Sequence, residues 1–212
     1  MKKYHKIQTV YKRDPETKYK TLLEGEYSLP EFEYLQDNEW VYTEKVDGMN
    51  MRIIFDDGKL VFRGKTDRAQ LPSNLVIRLS ERFYPQLKTF EENFGDGICL
   101  YGEGYGAGIQ KGGCYSPNQD FVLFDIKIGD LWLRREDVEG IGEMFDLVIV
   151  PIIGRGSLHK MVEMVRNGLD STWINSAHGD FEAEGIVARP SAELRTRNGG
   201  RMITKIKCKD FR

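Results

Sequence analysis

Short apolar runs separated by turn residues dominate the middle of the chain. From Trp40 the sequence reads WVYTEKV, DGMN, MRIIF, DDG and KLVFRG, and this pattern is typical of extended strands joined by tight turns. The pair Asp57-Gly58 is the signal of a two-residue β-hairpin turn. Lys45 is therefore predicted to lie at the end of a strand, directly before a turn.

The remaining sequence combines further strands with fewer helices. Strands are predicted in ICLYGE, FVLFDIKI, LWLR, LVIVPII and EGIVARP, and helices in NLVIRLSERF, REDVEGIGEMF and SLHKMVEMVRN. We expect the first helix to stop near Pro85, and the last to have Ser157 as its N-cap and Gly168 just past its end. Hairpins outnumber helices, and β-α-β alternation is not regular. The sequence thus predicts an α+β fold of antiparallel β-sheets flanked by helices.

Composition is typical of a soluble globular protein. The chain of 212 residues is long enough for one domain with a sizeable core. Its residues are 40% hydrophobic and 30% charged, which is ordinary for a globular protein. We expect a single domain over residues 1–212, with residues 1–39 as an N-terminal cap or extension. The sequence shows no signal peptide and no apolar stretch of membrane-spanning length. A cytoplasmic location, or the host cytoplasm for a viral protein, and no membrane partner are therefore expected.

Charge is distributed unevenly along the chain. The net charge of −2 argues against a protein that coats nucleic acid indiscriminately. The last stretch, ELRTRNGGRMITKIKCKDFR, is nevertheless rich in Arg and Lys. Its TKIK segment alternates with period two, which predicts a strand with Lys205 and Lys207 on one face, where two point charges suit a phosphate. A solvated charged tail is the alternative.

The first segment that could carry chemistry is EKVDGMN, from Glu44 to Asn50. A lysine at a strand end, followed by Asp47 and Gly48, is an amine held rigidly beside a turn that a ligand can approach closely. Such an amine attacks an electrophile only when uncharged, a state favoured by burial or by a nearby cation such as a metal ion. The alternative is a strand-end lysine that simply pairs with the aspartate.

Basic residues follow the strand KLVFRG. Arg63, Lys65 and Arg68 lie close together in FRGKTDRAQLP, where they either neutralise phosphates or form a solvated turn. The Gly64-Lys65-Thr66 sequence is not a P-loop, because the glycine that this motif requires five positions earlier is replaced by Lys59.

Two carboxylates and one aromatic residue lie at the ends of other predicted strands. Glu103 ends LYGE before a glycine-rich loop, and this loop is not a dinucleotide fingerprint because no helix follows it. Phe124 ends FVLF and is either a core residue or a platform for base stacking. Glu184 begins EGIVARP, and its carboxylate oxygens are ligands of the type that Mg²⁺ prefers.

Taken in order, these segments resemble the motifs of the covalent nucleotidyltransferase superfamily, which comprises polynucleotide ligases and messenger RNA capping enzymes. The nucleophile motif is matched by Lys45-Val46-Asp47-Gly48, the third motif by LYGEGYG around Glu103, the adjoining aromatic motif by Phe124-Asp125, the fourth by Glu184-Gly185-Ile186-Val187 and the fifth by Lys205-Ile206-Lys207. The match extends from Lys45 to Lys207. Several motifs in the same order are far more specific than any one of them.

Within the superfamily, the sequence is most similar to ATP-dependent RNA ligases that seal nicks. Those ligases usually have asparagine two residues after the motif glycine, as here at Asn50, whereas DNA ligases usually have arginine there. The segment GKTDRAQLP also resembles small viral and bacterial RNA ligases, which usually have arginine at the position of Lys65. This departure leaves open whether Lys65 or Arg63 contacts phosphate.

The resemblance implies a ligase adenylation domain with ATP-grasp-like architecture and a three-step reaction. Lys45 attacks the α-phosphate of ATP and carries AMP covalently, AMP is transferred to a 5'-phosphate, and a 3'-hydroxyl then attacks that end and releases AMP. Lys205 and Lys207 are implied to be catalytic together with Mg²⁺ or Mn²⁺, which Glu184 and Glu103 place partly through water. The implied nucleotide-binding residues are Glu44, Asp47, Gly48, Asn50, Arg63, Lys65, Glu103, Phe124 and Glu184, with Glu103 on the ribose and Phe124 on adenine.

The implied substrate is RNA with 5'-phosphate and 3'-hydroxyl ends, as in a nicked duplex. Ligases normally carry a further domain after the fifth motif, and few residues follow Lys207. We therefore expect no separate C-terminal domain, and a protein partner is one way to replace it. The alternatives are a compact DNA ligase, which Asn50 disfavours, a GTP-dependent capping-type enzyme, and a non-catalytic nucleic-acid-binding module that keeps the fold.

Overall fold

The computed structural model describes residues 3–95, 97–172 and 181–212. These residues form two compact units. The first unit contains the N-terminal residues up to His5 together with Asp47–Val150, and the second contains Lys6–Val46 and Pro151–Arg212. The chain therefore passes between the units after His5, after Val46 and after Val150.

The helices and strands are numbered in chain order. The strands are β1 (Gln8–Thr9), β2 (Tyr11–Arg13), β3 (Leu22–Tyr27), β4 (Trp40–Lys45), β5 (Met49–Asp56), β6 (Lys59–Gly64), β7 (Ile98–Tyr105), β8 (Asp120–Ile128), β9 (Leu131–Trp132), β10 (Val148–Ile149), β11 (Ile152–Gly156), β12 (Gly185–Pro190) and β13 (Thr204–Lys207). The helices are α1 (Pro30–Tyr34), α2 (Ser73–Phe83), α3 (Leu87–Phe94), α4 (Arg135–Met144) and α5 (Leu158–Arg166). Short 3₁₀ turns cover Tyr84–Gln86, Gly112–Cys114 and Cys208–Phe211.

The first unit is built on a twisted sheet in the order β10-β8-β7-β5-β6, with β9 paired to β8. Its pairs are antiparallel except for β10 with β8. Strands β5 and β6 form the predicted hairpin, because Asp56 pairs with Lys59 and leaves Asp57 and Gly58 as the turn. Both turn residues have positive φ, 49° and 67°, which is the backbone of a type I′ turn.

One face of this sheet is covered by helices and forms the core of the first unit. The apolar side of α2 supplies Leu75, Leu79 and Phe83, spaced by one helical turn, and all three are fully buried. An aromatic stack extends the core, with the Phe90 ring centroid 4.3 Å from that of Phe145 and 5.4 Å from that of Phe55. Such pairs each contribute about 0.5–1.5 kcal/mol beyond burial. The opposite face carries the polar residues of the strands.

The second unit is built on a sheet in the order β1-β13-β12-β4-β11, beside the small sheet formed by β2 and β3. Helix α5 packs on one face through Leu158, Met161, Val162 and Val165. Ser157 is the N-cap of α5, and its side chain accepts a hydrogen bond from the Lys160 amide at 3.2 Å. This confirms the predicted start of the helix.

One sequence prediction of secondary structure is wrong in detail. The run LVIVPII is not one strand: β10 pairs with β8 in the first unit, whereas β11 pairs with β4 in the second. Pro151 separates them and has no N–H to continue a ladder. The prediction that the first helix stops near Pro85 is confirmed, because α2 ends at Phe83. Pro85 lies in the 3₁₀ turn that follows, where proline is tolerated, and α3 begins at Leu87.

The predicted fold class is confirmed: the structure is α+β, with mainly antiparallel sheets flanked by helices. None of the helices within the described residues combines the length and the apolar character that crossing a membrane requires.

Candidate active site

The nucleophile candidate lies in a row of three residues across the sheet of the second unit. Lys45 ends β4 and pairs with Gly185 of β12, which pairs on its other side with Lys207 of β13. Residues directly opposite in antiparallel strands point to the same face. Lys45 and Lys207 therefore lie on one face, on either side of a residue without a side chain.

Glu184 joins the two lysines. One of its carboxylate oxygens accepts a hydrogen bond from the Lys45 ammonium and the other accepts one from the Lys207 ammonium. The three side chains are mostly buried, with 20%, 14% and 23% of the side chain exposed for Lys45, Glu184 and Lys207. Two ammonium groups around one carboxylate leave a surplus of one positive charge. This surplus suits an anionic ligand such as a phosphate.

Gly185 is required by the close approach of β12 to β13. A Cβ atom there would lie 2.1 Å from the Ile206 carbonyl oxygen and 2.7 Å from the Lys207 Cα. A side chain would therefore clash with the backbone of β13 and force the two strands apart. The close packing of β12 on β13 thus explains why the fourth motif has glycine at this position.

Lys205 is on the same face as Lys207, as the TKIK alternation predicts. Both lysines are half-buried, whereas the residues that alternate with them, Thr204 and Ile206, are buried on the other face. Lys205 pairs with Val187, which pairs with Thr43. It therefore lies one row away from the pair formed by Lys45 and Lys207.

Glu44 points to the opposite face from Lys45, because neighbouring residues of a strand alternate. Its side chain is buried and accepts hydrogen bonds from the Ser171 hydroxyl, the Thr172 amide at 3.0 Å and the Thr172 hydroxyl at 3.2 Å. In the structure, Glu44 therefore anchors the segment at Ser171 to β4. A nucleotide-binding role for Glu44 stays a prediction.

Asp47 and Gly48 form the turn that leads into the first unit. The Asp47 amide donates to the Tyr115 hydroxyl at 3.2 Å. A Cβ on Gly48 would lie 2.3 Å from the Gly104 carbonyl oxygen and 2.8 Å from the Glu103 Cγ. The motif glycine is therefore needed because this turn lies directly on β7. No motif in the sequence indicates Tyr115, which lies in the glycine-rich loop region far along the chain.

Asn50 and Glu103 face each other on neighbouring strands of the first unit, β5 and β7. Both are half-buried. The Asn50 Oδ1 atom is buried and has no hydrogen-bond partner in the described part of the chain. A buried acceptor of this kind is costly unless a ligand or water satisfies it. This agrees with a ligand-binding role for the face that carries Asn50 and Glu103.

Phe124 is the extra residue of a β-bulge. Tyr101 pairs with Asp125, and the next residue, Gly102, pairs with Leu123, so Phe124 has no partner on β7. A bulge redirects a side chain, and Phe124 is only half-buried, unlike its neighbours. The Tyr4 ring meets it edge-on with centroids 5.1 Å apart, and the Tyr4 hydroxyl donates to Asp125 at 2.7 Å. No motif in the sequence indicated Tyr4.

Arg63 and Lys65 are both exposed in the first unit. Arg63 donates to the Phe62 carbonyl at 3.3 Å. The described residues contain no group of three or more His, Cys, Asp or Glu side chains that could hold a metal ion. A metal at Glu184 or Glu103 would accordingly need most of its ligands from elsewhere.

The ionisation of Glu184 makes a test of this cluster possible. Burial alone raises the pKa of its carboxyl, but the ammonium groups of Lys45 and Lys207 outweigh burial and hold the pKa below its ordinary value of 4.5. A depressed pKa adds stability that is present above the unfolded-state pKa and is lost as the pH falls through the folded-state pKa. The ion pairs should therefore stabilise the fold at neutral pH and cease to do so in acid.

We expect Glu184→Gln to lower the melting temperature relative to the unsubstituted chain at about pH 7, with the difference shrinking below the ordinary carboxyl pKa of 4.5. Thermal unfolding followed by circular dichroism between about pH 7 and pH 3 measures this. Glu163→Gln, which removes an exposed carboxylate from α5 in the same unit, is the control. A difference that is the same at every pH would contradict the ion-pair assignment.

Comparison with known proteins shows the family to which the chain belongs. The profile of the RNA ligase family matches residues 38–207, most of the chain. The chain belongs to the RNA ligase family. All the motif residues, from Lys45 to Lys207, lie inside the matched range, and the predicted family is confirmed.

Solved structures of an RNA ligase from Naegleria gruberi have a similar fold. An apo mutant aligns with a TM-score of 0.65 and 17% identity, over 99% of this chain and 58% of that chain. A mutant with ATP and Mn aligns with a TM-score of 0.67 and 18% identity, over 98% and 56%. A third, with AMP and Mn, aligns with a TM-score of 0.63 and 16% identity, over 97% and 57%. This chain thus spans less than three fifths of the length of those ligase chains, and the likeness shows a shared fold.

Proposed function

We propose that this chain is the adenylation domain of an ATP-dependent RNA ligase and that Lys45 carries AMP covalently. The observation that supports this most directly is the row of Lys45 and Lys207 with Glu184 hydrogen-bonded to both. A nucleophilic amine and a second cation on one face are what attack on a phosphate needs. We further propose that both units act together as one adenylation domain.

In the first step, a bond forms between the Lys45 nitrogen and the α-phosphorus of ATP while the bond to the bridging oxygen breaks. The electron pair of that bond leaves with pyrophosphate. Lys45 loses one proton before the attack and a second as the phosphoramidate forms, both to solvent. Lys207 and Lys205 offset the negative charge of the phosphate oxygens, and positioning and charge neutralisation dominate catalysis in phosphoryl transfer.

A 5'-phosphate of the RNA then attacks the phosphorus of lysyl-AMP and displaces the Lys45 amine, which regains its protons. Finally a 3'-hydroxyl attacks the activated 5'-phosphate, the strand closes, and AMP leaves. We propose that Glu103 holds the ribose, that the redirected ring of Phe124 stacks on adenine, and that Asn50 supplies its unsatisfied oxygen to the bound ligand.

Carboxylate oxygens are available for a magnesium or manganese ion that takes its other ligands from water and substrate. Glu184 offers carboxylate oxygens, which these ions prefer, and such ions usually keep several waters and bind substrate phosphates. Glu184 would hold the ion, with Glu103 contributing through water, and the bound ion would supply charge neutralisation on phosphate oxygens. One similar ligase structure contains ATP and Mn, which agrees with this proposal.

We propose RNA with 5'-phosphate and 3'-hydroxyl ends as the substrate, with a nicked duplex as its form. A protein partner that grips the duplex and a cytoplasmic location also remain proposals. Asn50 favours RNA over DNA ligation, because it stands two residues after the motif glycine, where RNA ligases usually have asparagine and DNA ligases usually have arginine.

Incubation with α-³²P-labelled ATP and Mg²⁺, followed by denaturing electrophoresis, tests the nucleotide and the covalent step. We expect labelled protein with ATP and none with GTP, and release of the label by acid, because a phosphoramidate is acid-labile. Labelling by GTP alone would favour the capping-type alternative. Sealing of 5'-phosphorylated nicks with RNA or DNA on the 3'-hydroxyl side then separates RNA from DNA ligation.

A further inference from the structure

Arg52 is a buried charge in the first unit that the motifs do not include. It lies in the apolar run of β5, and only 1% of its side chain is exposed. A buried guanidinium costs free energy unless its donors are hydrogen-bonded. An apolar side chain would fill the same place without this cost, so the contacts of Arg52 need an explanation.

Those contacts fix the segment that follows β6. The Arg52 Nε and Nη2 atoms both donate to the Gly64 carbonyl at 3.1 Å, and Nη2 also donates to the Asp67 carboxylate at 2.7 Å. A single planar guanidinium thus holds both ends of the stretch from Gly64 to Asp67. The Asp67 side chain is 78% exposed. Its carboxylate nevertheless binds the buried guanidinium of Arg52.

The segment held in this way carries the basic cluster. Lys65 and Arg68 are exposed, and no carboxylate in the described ranges pairs with either. Arg63 instead donates to the Phe62 carbonyl at 3.3 Å, and its charge acts on Asp67. Because Arg52 binds both ends of this stretch, loss of the contact with Asp67 leaves the backbone around Lys65 less firmly fixed.

We propose that Arg52 is a positioning residue: by binding Gly64 and Asp67 it fixes the backbone on both sides of Lys65, so that Lys65 is held where it contacts the phosphates of the nucleotide. This rests on the proposed function. Arg52 also lies on the same face of β5 as Asn50, because the two are separated by one residue. The clamp made by Arg52, Gly64 and Asp67 therefore belongs to the polar face of the sheet.

The test compares Asp67→Ala, Lys65→Ala and the double variant in single-turnover labelling of Lys45 at varied ATP concentration. We expect each single variant to raise the half-saturating ATP concentration by about tenfold, the scale of one displaced charge contact. The double variant should exceed Lys65→Ala by less than about twofold, because both changes remove the same contact. Inhibition by adenosine, which has no phosphate, should be unchanged.

Glu91→Ala, which removes an exposed carboxylate from α3, is the matched control and should behave like the unsubstituted chain. Arg52→Lys keeps the charge but loses the planar fork, and should reproduce the loss seen with Asp67→Ala. Because Asp67 is on the surface, its variant remains informative if Arg52→Lys fails to fold.

Three outcomes would overturn the clamp. Asp67→Ala could leave the half-saturating ATP concentration unchanged, or the increase in the double variant could equal the product of the increases in the two single variants. Inhibition by adenosine could also weaken by the same factor as the use of ATP. Each would show that Asp67 acts independently of Lys65 or only supports the fold. An unsubstituted chain that takes up no label would instead overturn the proposed function, and the clamp with it.

Discussion

Lys45→Ala should take up no detectable AMP from labelled ATP. The substitution removes the only atom that forms the covalent bond, and removal of a nucleophile typically lowers activity by about 10,000-fold or more. The side chain is mostly buried beside Glu184, so the loss is measured together with the melting temperature. Denaturing electrophoresis after incubation with α-³²P-labelled ATP and Mg²⁺ gives the amount of adduct.

Lys45→Arg is the control for charge. An arginine keeps a cation for Glu184 but stays protonated and cannot attack, so it should also remain unlabelled while melting closer to the unsubstituted chain than Lys45→Ala does. Label that persists on the alanine variant would show that another residue is the nucleophile. That result would leave the fold and the family membership untouched.

Lys207→Ala should slow the formation of lysyl-AMP by about a hundredfold or more, the scale of removing one preorganised charge or donor from a site where negative charge develops. Lys207 lies in the same row as Lys45 and shares the Glu184 carboxylate with it. Without Lys207, the local surplus of positive charge is lost, and Glu184 pairs with Lys45 alone. Single-turnover rates at saturating ATP measure the effect.

Lys209→Ala is the matched control. Lys209 is exposed two residues further along the chain, so its substitution removes the same charge outside the row formed by Lys45, Gly185 and Lys207. It should change the rate by less than about twofold, in line with the small effects of most surface substitutions. Equal losses for the two variants would indicate that the C-terminal cations act through general electrostatics rather than through the row. A normal rate for Lys207→Ala would remove Lys207 from the catalytic residues.

Much of the fold is predictable from local pattern. The hairpin at Asp57-Gly58, the cap at Ser157 and the alternation of TKIK each follow from the preferences of a few adjacent residues. The pairing of Lys45 with Lys207 through Gly185 depends instead on strand order. Strand order follows from long-range packing, which periodicity does not report.

The residues that sequence reasoning missed act over long separations. Tyr4 meets Phe124 and Asp125, and Tyr115 meets Asp47, through contacts between segments far apart in the chain. Arg52 left one local sign, a single charge inside the apolar run MRIIF. Such an exception to a buried pattern is a good place to look for function, but its partners were visible only in the structure.

The alternation of Glu44 and Lys45 makes strand alignment part of the chemistry. Sliding β4 by one residue would exchange the two side chains, sending the amine into the apolar interior and the carboxylate to the other side. The three hydrogen bonds that Glu44 accepts from Ser171 and Thr172 oppose that slip. A carboxylate on the face opposite Lys45 thus determines on which side of the sheet the reactive nitrogen emerges. The spacing between Trp40 and Lys45 therefore matters as much as the identity of the residues within it.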